Sequence, residues 1–117
     1  MGRTVLIVDD HPSFRASARR MLEAHGYEVV GEAADASSAI EAVGQLQPDV
    51  VLLDIRLPDG DGFQVAERLA ANGAAPAIVL TSSRDRSDFD YEIIASPAHG
   101  FIPKSELSGE AITSLIR

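Results

Sequence analysis

Short unbroken apolar runs alternate along this chain with longer segments in which apolar residues recur every three to four positions. That alternation predicts βα units built around a parallel sheet. Thr4 to Val8 reads as the first strand, and Pro12 suits the opening turn of a helix with Phe14, Ala18, Met21 and Leu22 on one face. Gly26 closes that helix, and Tyr27 to Ala33 forms a second strand interrupted by Gly31 and Glu32. Ser37 or Ser38 starts the next helix, whose buried stripe is Ala39, Ile40, Val43 and Leu46 and which Pro48 breaks. Val50 to Leu53 is uninterrupted apolar sequence, as a central strand covered on both faces requires. A turn-rich loop, "RLPDGDG", leads into a helix from about Phe63 to Asn72 that buries Val65, Ala66 and Leu69. Ala77 to Leu80 is the fourth strand, closing at Thr81 and Ser82, and "GFIP" is a short fifth strand that stops at Lys104. The segment between them, "SRDRSDFDYEIIASPAHG", holds the least defined helix because it is polar at first and broken by Pro97. Ser108 caps a last helix with Ile112, Leu115 and Ile116 facing inward.

Length and composition narrow this picture. The 117 residues, 45% of them hydrophobic, suit one domain spanning residues 1–117. Cysteine is absent, which excludes disulfides and thiolate metal sites. There is neither an apolar run long enough to cross a membrane nor a signal-peptide pattern at the N-terminus, so a cytoplasmic protein without membrane contact is expected. With 18 acids against 10 bases the formal charge is −8, the wrong sign for a nucleic-acid surface.

The chemistry lies at the strand ends. In an open parallel sheet the C-terminal strand ends share one edge, where ligands bind. Strand one ends in Asp9 and Asp10, strand three in Asp54, strand four in Thr81 and strand five in Lys104. Three carboxylates converging within about 5 Å repel by roughly 3 kcal/mol per pair at an effective dielectric near 20, so the cluster calls for a cation. A hard divalent ion such as Mg²⁺ takes one or two carboxylates, keeps several waters and accepts phosphate oxygens as further ligands. Lys104 and the Thr81 hydroxyl then suit the remaining oxygens of a phosphoryl group. Replacing any one of the three acids by its amide is expected to stabilise the metal-free chain.

The motifs "VDD", "LLDIRLPDGDG", "VLTSS" and "GFIPK", in this order and spacing, resemble the receiver domain of bacterial two-component response regulators, and the resemblance covers nearly the whole chain. It implies a flavodoxin-like, doubly wound α/β fold with a five-stranded parallel sheet in the order 2-1-3-4-5. It further implies that Asp54 is the phosphoacceptor, that Asp10, Asp54 and the backbone carbonyl of Arg56 ligate Mg²⁺, and that Asp9 acts through a metal-bound water. Thr81 and Lys104 match the switch hydroxyl and lysine, and Phe101 the aromatic that rotates inward with it. The implied function is a signalling switch, phosphorylated by a sensor histidine kinase, that catalyses only its own phosphorylation and dephosphorylation. "GFIPKSELS" resembles receivers joined to LuxR-type DNA-binding domains, which implies a transcriptional regulator with an effector after Arg117 and pairing of two copies on phosphorylation.

Other readings meet specific obstacles. Haloacid-dehalogenase-type hydrolases carry a second aspartate two residues after the nucleophile, where this chain has Arg56. An FMN carrier needs a phosphate loop after the first strand, where "DDHPS" repels an anion. The acids of "PDGDG" lack the glutamate that completes an EF-hand loop. A receiver used only as an interaction surface, or one acting alone through protein contacts, remains an alternative. His11, His25 and His99 are assigned no chemistry.

Overall fold

The apolar runs become the strands of a parallel sheet and the periodic segments become its covering helices. In chain order the computed structural model, which describes residues 2–73 and 76–117, contains β1 (Thr4–Val8), α1 (Pro12–Ala24), β2 (Glu28–Ala33), α2 (Ala36–Leu46) and β3 (Val50–Asp54). A small ribbon of β4 (Arg56–Leu57) and β5 (Gly60–Asp61) follows, then α3 (Gly62–Ala71), β6 (Ala77–Ser82), α4 (Asp90–Ala95), β7 (Gly100–Pro103) and α5 (Gly109–Ile116). The main sheet runs β2-β1-β3-β6-β7 with every pairing parallel. With the ribbon left uncounted this is the expected 2-1-3-4-5 order.

The period-2 geometry of a strand sorts the apolar residues into two cores. Leu6, Val8, Val51, Leu53, Ile78, Leu80 and Phe101 face α2, α3 and α4, while Val5, Ile7, Val50, Leu52, Val79 and Ile102 face α1 and α5. All five residues of β3 are buried. That is why its sequence is apolar without alternation.

The structure revises several local expectations. Helix α2 starts at Ala36, ahead of the predicted serines, because Asp35 caps it by accepting from the Ser38 backbone N–H at 2.8 Å. Asp59, from the β4–β5 turn, adds a second carboxylate that accepts from the backbone N–H groups of Ala36 (2.7 Å) and Ser37 (3.1 Å). Two acids at one helix N-terminus match the positive end of its dipole. Leu46, expected inside, is the last residue of the helix and is 44% exposed. The "RLPDGDG" loop is the antiparallel β4–β5 ribbon, closed where Asp61 caps α3 through the Gln64 N–H at 2.9 Å. The uncertain fourth helix is a 3₁₀ turn at Arg86–Asp88 followed by only six α-helical residues, and Ser96 turns extended ahead of Pro97.

Gly62 ties this ribbon to the end of the central strand. A Cβ there would stand 2.7 Å from the Asp54 carbonyl oxygen and 3.0 Å from Ile55 Cα, and the Gly62 N–H donates to the Ile55 carbonyl at 2.7 Å. Gly44, in the last turns of α2, has nothing among the described residues within 4 Å of where a Cβ would stand. Gly62→Ala should therefore lower stability by about 1–3 kcal/mol through backbone displacement, whereas Gly44→Ala should raise it by up to about 1 kcal/mol through helix propensity. Urea melts of the two variants beside the wild type check both signs.

Candidate functional site

The two-residue strand period that builds the cores also aims the site. Asp9 continues the Val5, Ile7 face of β1, Asp54 continues Val50 and Leu52, Thr81 continues Val79, and Lys104 continues Ile102. All four therefore project on the α1/α5 side of the sheet at its C-terminal edge. In the β3–β6 pairing Asp54 stands directly opposite Thr81. Asp9 and Thr81 are fully buried and Asp54 is 4% exposed, whereas Asp10 is exposed.

Lys104 holds the centre. Its Nζ lies 2.7 Å from Asp9 Oδ2 and 3.6 Å from Asp54 Oδ2, and 4.2 Å above the centroid of the Phe14 ring on the first turn of α1. A ring face under the ammonium adds a cation–π contact and shields it from water on that side. On its other oxygen Asp9 accepts from the His11 backbone N–H at 2.8 Å and contacts His11 Nδ1 at 2.9 Å. Asp9 Oδ2 has no directed hydrogen bond, so Lys104 meets it as a point charge. Arg15 donates from Nη1 to the Asp9 carbonyl at 2.7 Å while its Nε pairs with Glu32 at 2.9 Å, which fixes the end of β1 against α1 and β2.

Asp54 is less well served. Its contacts are the Arg56 backbone N–H at 3.4 Å and the Lys104 ammonium at 3.6 Å, both long for a buried carboxylate. Burial, reinforced by the negative charge of Asp9 and only partly offset by Lys104, pushes its carboxyl up to about 6. Asp9 goes the other way. Burial would raise it, but the Lys104 ammonium and the two His11 contacts outweigh that and hold it below its ordinary value. One lysine serves two acids, and Asp9 takes the closer contact.

The remaining expected residues divide. Asp9, Asp10 and Asp54 do converge: together with His11 each offers one donor atom, and all four atoms lie within 4.8 Å of one another. Three carboxylates, one of them buried and poorly partnered, fit a hard divalent ion. Arg56 lies beside them in β4 with its side chain exposed and its N–H on Asp54. The Thr81 hydroxyl, however, donates to the Ile102 carbonyl at 2.7 Å and so is spent on the neighbouring strand. Phe101 is already inside at 5% exposure, in a tilted aromatic row with Phe89 (6.1 Å) and, beyond it, Phe63 (6.0 Å from Phe89). In this conformation the Phe101 ring, which the resemblance implies moves inward on switching, already lies inside. His11, Phe14 and Arg15 are the site residues that sequence reading missed. The available signal was their position, on the two turns that directly follow the aspartate pair.

The two buried acids give opposite predictions, and this corrects the expectation that any amide would stabilise the metal-free chain. A carboxyl with a folded value near 6 and an unfolded value near ~3.9 favours folding only below the lower value and loses that contribution as pH rises to the higher one. In chelator, Asp54→Asn should thus match the wild type near pH 4 and gain on the order of 1–3 kcal/mol over it by pH 7. The lowered Asp9 contributes above its unfolded value and loses that contribution as pH falls through the folded one, so Asp9→Asn should melt below the wild type at pH 7. Thermal melts across this range test the split; a higher midpoint for Asp9→Asn at neutral pH would refute it.

The comparisons with known proteins agree with this geometry. The family model described as "Response regulator receiver domain" matches residues 5–117. A Mycobacterium tuberculosis protein named "Probable transcriptional regulatory protein NarL" is 35% identical over 96% of this chain and 52% of its own length, and PdtaR of the same species is 39% identical over 91% of this chain and 56% of its own. The chain thus spans about half the length of these curated relatives. Among solved structures, the NarL receiver domain from M. tuberculosis superposes with a TM-score of 0.88 at 35% identity, covering 97% of this chain and 94% of that one. A LuxR-family two-component response regulator from Aurantimonas sp. gives 0.88 at 30% identity, covering 98% and 83%. With the sheet order, the acid cluster and the lysine already in place, the match settles the family: the chain belongs to the response regulator receiver domains.

Proposed function

We propose that residues 1–117 act as one cytoplasmic, phosphorylation-controlled switch that accepts a phosphoryl group on Asp54 from the phosphohistidine of a sensor kinase. The observation that carries this reading is the buried, under-partnered Asp54 carboxyl beside an ammonium at the C-terminal edge of the sheet. Receiver domains are signalling switches, and the relatives named above are transcriptional regulators.

In this reading Asp54 is ionised at neutral pH and one of its oxygens attacks the donor phosphorus in line. The P–N bond to the donor imidazole breaks, its electron pair leaves with the imidazole, and an acyl phosphate forms on Asp54. Asp10, Asp54 and the Arg56 carbonyl would hold Mg²⁺, with Asp9 beyond a water. Bound there, Mg²⁺ supplies charge neutralisation for the transferring oxygens. Lys104 supplies a second positive charge, moving from its bridge between Asp9 and Asp54 towards a phosphoryl oxygen. Phe14 keeps that ammonium above the pocket.

The product changes the preferences of its neighbours. A phosphoryl group adds negative charge and acceptor oxygens. The Thr81 hydroxyl then has a reason to leave the Ile102 carbonyl, a neutral hydrogen bond whose net value is about 1 kcal/mol. Because Thr81 bonds to β7 itself, its release loosens the strand that carries Phe101, and the Phe101–Phe89–Phe63 row passes the change to α4 and α3. The output is a rearranged surface that alters pairing with a second copy or with an attached effector that binds DNA. The chain itself, at −8, binds neither nucleic acid nor membrane.

Incubation with Mg²⁺ and acetyl phosphate, followed by intact mass, should give one phosphoryl increment that requires the metal and is abolished in Asp54→Asn. An undiminished increment in that variant would remove Asp54 from the reaction. Lys104→Met should slow the same reaction by about 10²-fold or more, as expected for loss of a preorganised charge at the transferring group. Equal rates would mean that Lys104 serves only Asp9. In fluorescence anisotropy at low salt, the chain should leave duplex DNA unbound with or without beryllofluoride.

A further inference from the structure

His11 has no role in the reading above, yet its imidazole is built into the acid cluster. Nδ1 lies 2.9 Å from Asp9 Oδ1 and 3.1 Å from Asp10 Oδ1. The side chain is not spent elsewhere: His11 is the N-cap of α1 but makes no side-chain cap bond, and Pro12 at the first helical position fixes the backbone that follows. It is 64% exposed, so the ring borders the open mouth of the pocket, while the Asp54 side chain at its floor is 5% exposed with only long contacts.

We propose that His11 is a metal ligand through Nδ1, and that the site consequently takes borderline divalent ions such as Mn²⁺, Co²⁺ or Zn²⁺ in competition with Mg²⁺. The inference rests on the reading of the acid cluster as the divalent-ion site of this domain. Its geometric basis is the spacing of donors. Neighbouring ligands of a six-coordinate ion with bonds near ~2.1 Å stand about 3.0 Å apart, and Nδ1 stands 3.1 Å from Oδ1 of Asp10, the direct carboxylate ligand beside it. The largest separation within the four-residue set, 4.8 Å, is only slightly above the ~4.2 Å across such an ion, so small side-chain movements close the cage.

The chemical consequence follows from donor type. An all-oxygen site distinguishes these ions mainly by size and charge, and Mg²⁺ gains little from nitrogen. Imidazole binds Mn²⁺ weakly and Co²⁺, Ni²⁺ and Zn²⁺ more strongly, Mn²⁺ standing lowest in the Irving–Williams series. A nitrogen in the donor set therefore raises affinity for the later ions more than for Mg²⁺. The 2.9 Å contact to Asp9 serves as a hydrogen bond when no ion is bound, which keeps the imidazole aimed at the cluster.

Direct metal binding tests this without reference to phosphorylation. Mg²⁺ and Co²⁺ are titrated calorimetrically into the wild type, His11→Ala and Asp54→Asn, and Mn²⁺ bound to the wild type and to His11→Ala is examined by electron spin-echo modulation. The preference for Co²⁺ over Mg²⁺ should fall at least about tenfold in His11→Ala, and the Mn²⁺ spectrum should carry a nitrogen coupling in the wild type that the variant loses. The spectrum of the unaltered chain keeps the test valid if His11→Ala folds poorly. An unchanged preference with no nitrogen coupling, while Asp54→Asn still weakens both ions, overturns the role of His11 alone. Isotherms for both ions that are indifferent to Asp54→Asn overturn the ion site itself, and the inference with it.

Discussion

Everything distinctive about this domain depends on one under-compensated charge: the Asp54 carboxylate at the buried end of the central strand. A carboxylate removed from water demands partners, and a single lysine cannot satisfy two of them at once. Lys104 sits at 2.7 Å from Asp9 and 3.6 Å from Asp54, so the deficit falls on Asp54. In the proposed function that deficit is what a cation would offset, and the cation in turn would receive an anionic phosphoryl group. The fold keeps the arrangement because the strand beneath Asp54 is buried throughout and Gly62 packs directly on its terminal carbonyl.

The surrounding contacts hold the charges in register. Arg15 and Glu32 pin the end of β1, Asp59 ties the β4–β5 ribbon to the N-terminus of α2, and Phe14 floors the lysine. Each joins a different element to the same edge. The Thr81 hydroxyl, bonded to β7, is the contact best placed to convert a local charge into a movement, since it borders the pocket and also fastens the strand that carries Phe101. In the proposed function the switch acts through release of this strand contact.

How much of this was legible in the sequence depends on the range of the interaction. The strands were legible because apolar runs and turn residues are local signals, and the edge residues because each falls in phase with the buried alternation before it, as Asp9 does with Val5 and Ile7. The start of α2 was misjudged because its cap, Asp35, is reinforced by Asp59 from a distant turn that no local pattern connects to it. The β4–β5 ribbon was hidden because its pairs span only four positions. The unequal fates of Asp9 and Asp54 were illegible in the sequence: both are acids at buried strand ends, and the path of Lys104, the His11 contacts to Asp9 and the burial of Asp54 decide between them. His11 was given no chemistry and read as structural or exposed, although its partners are its two immediate neighbours in the chain.

The central claim, that Asp54 is the acid left short of charge, is most directly tested by following its side-chain carboxyl carbon by ¹³C NMR across pH in chelator and again with Mg²⁺ present. A midpoint near 6 is expected without metal, shifted downward once the ion supplies the missing positive charge. A midpoint in the ordinary aspartate range near ~4, unmoved by Mg²⁺, would contradict it.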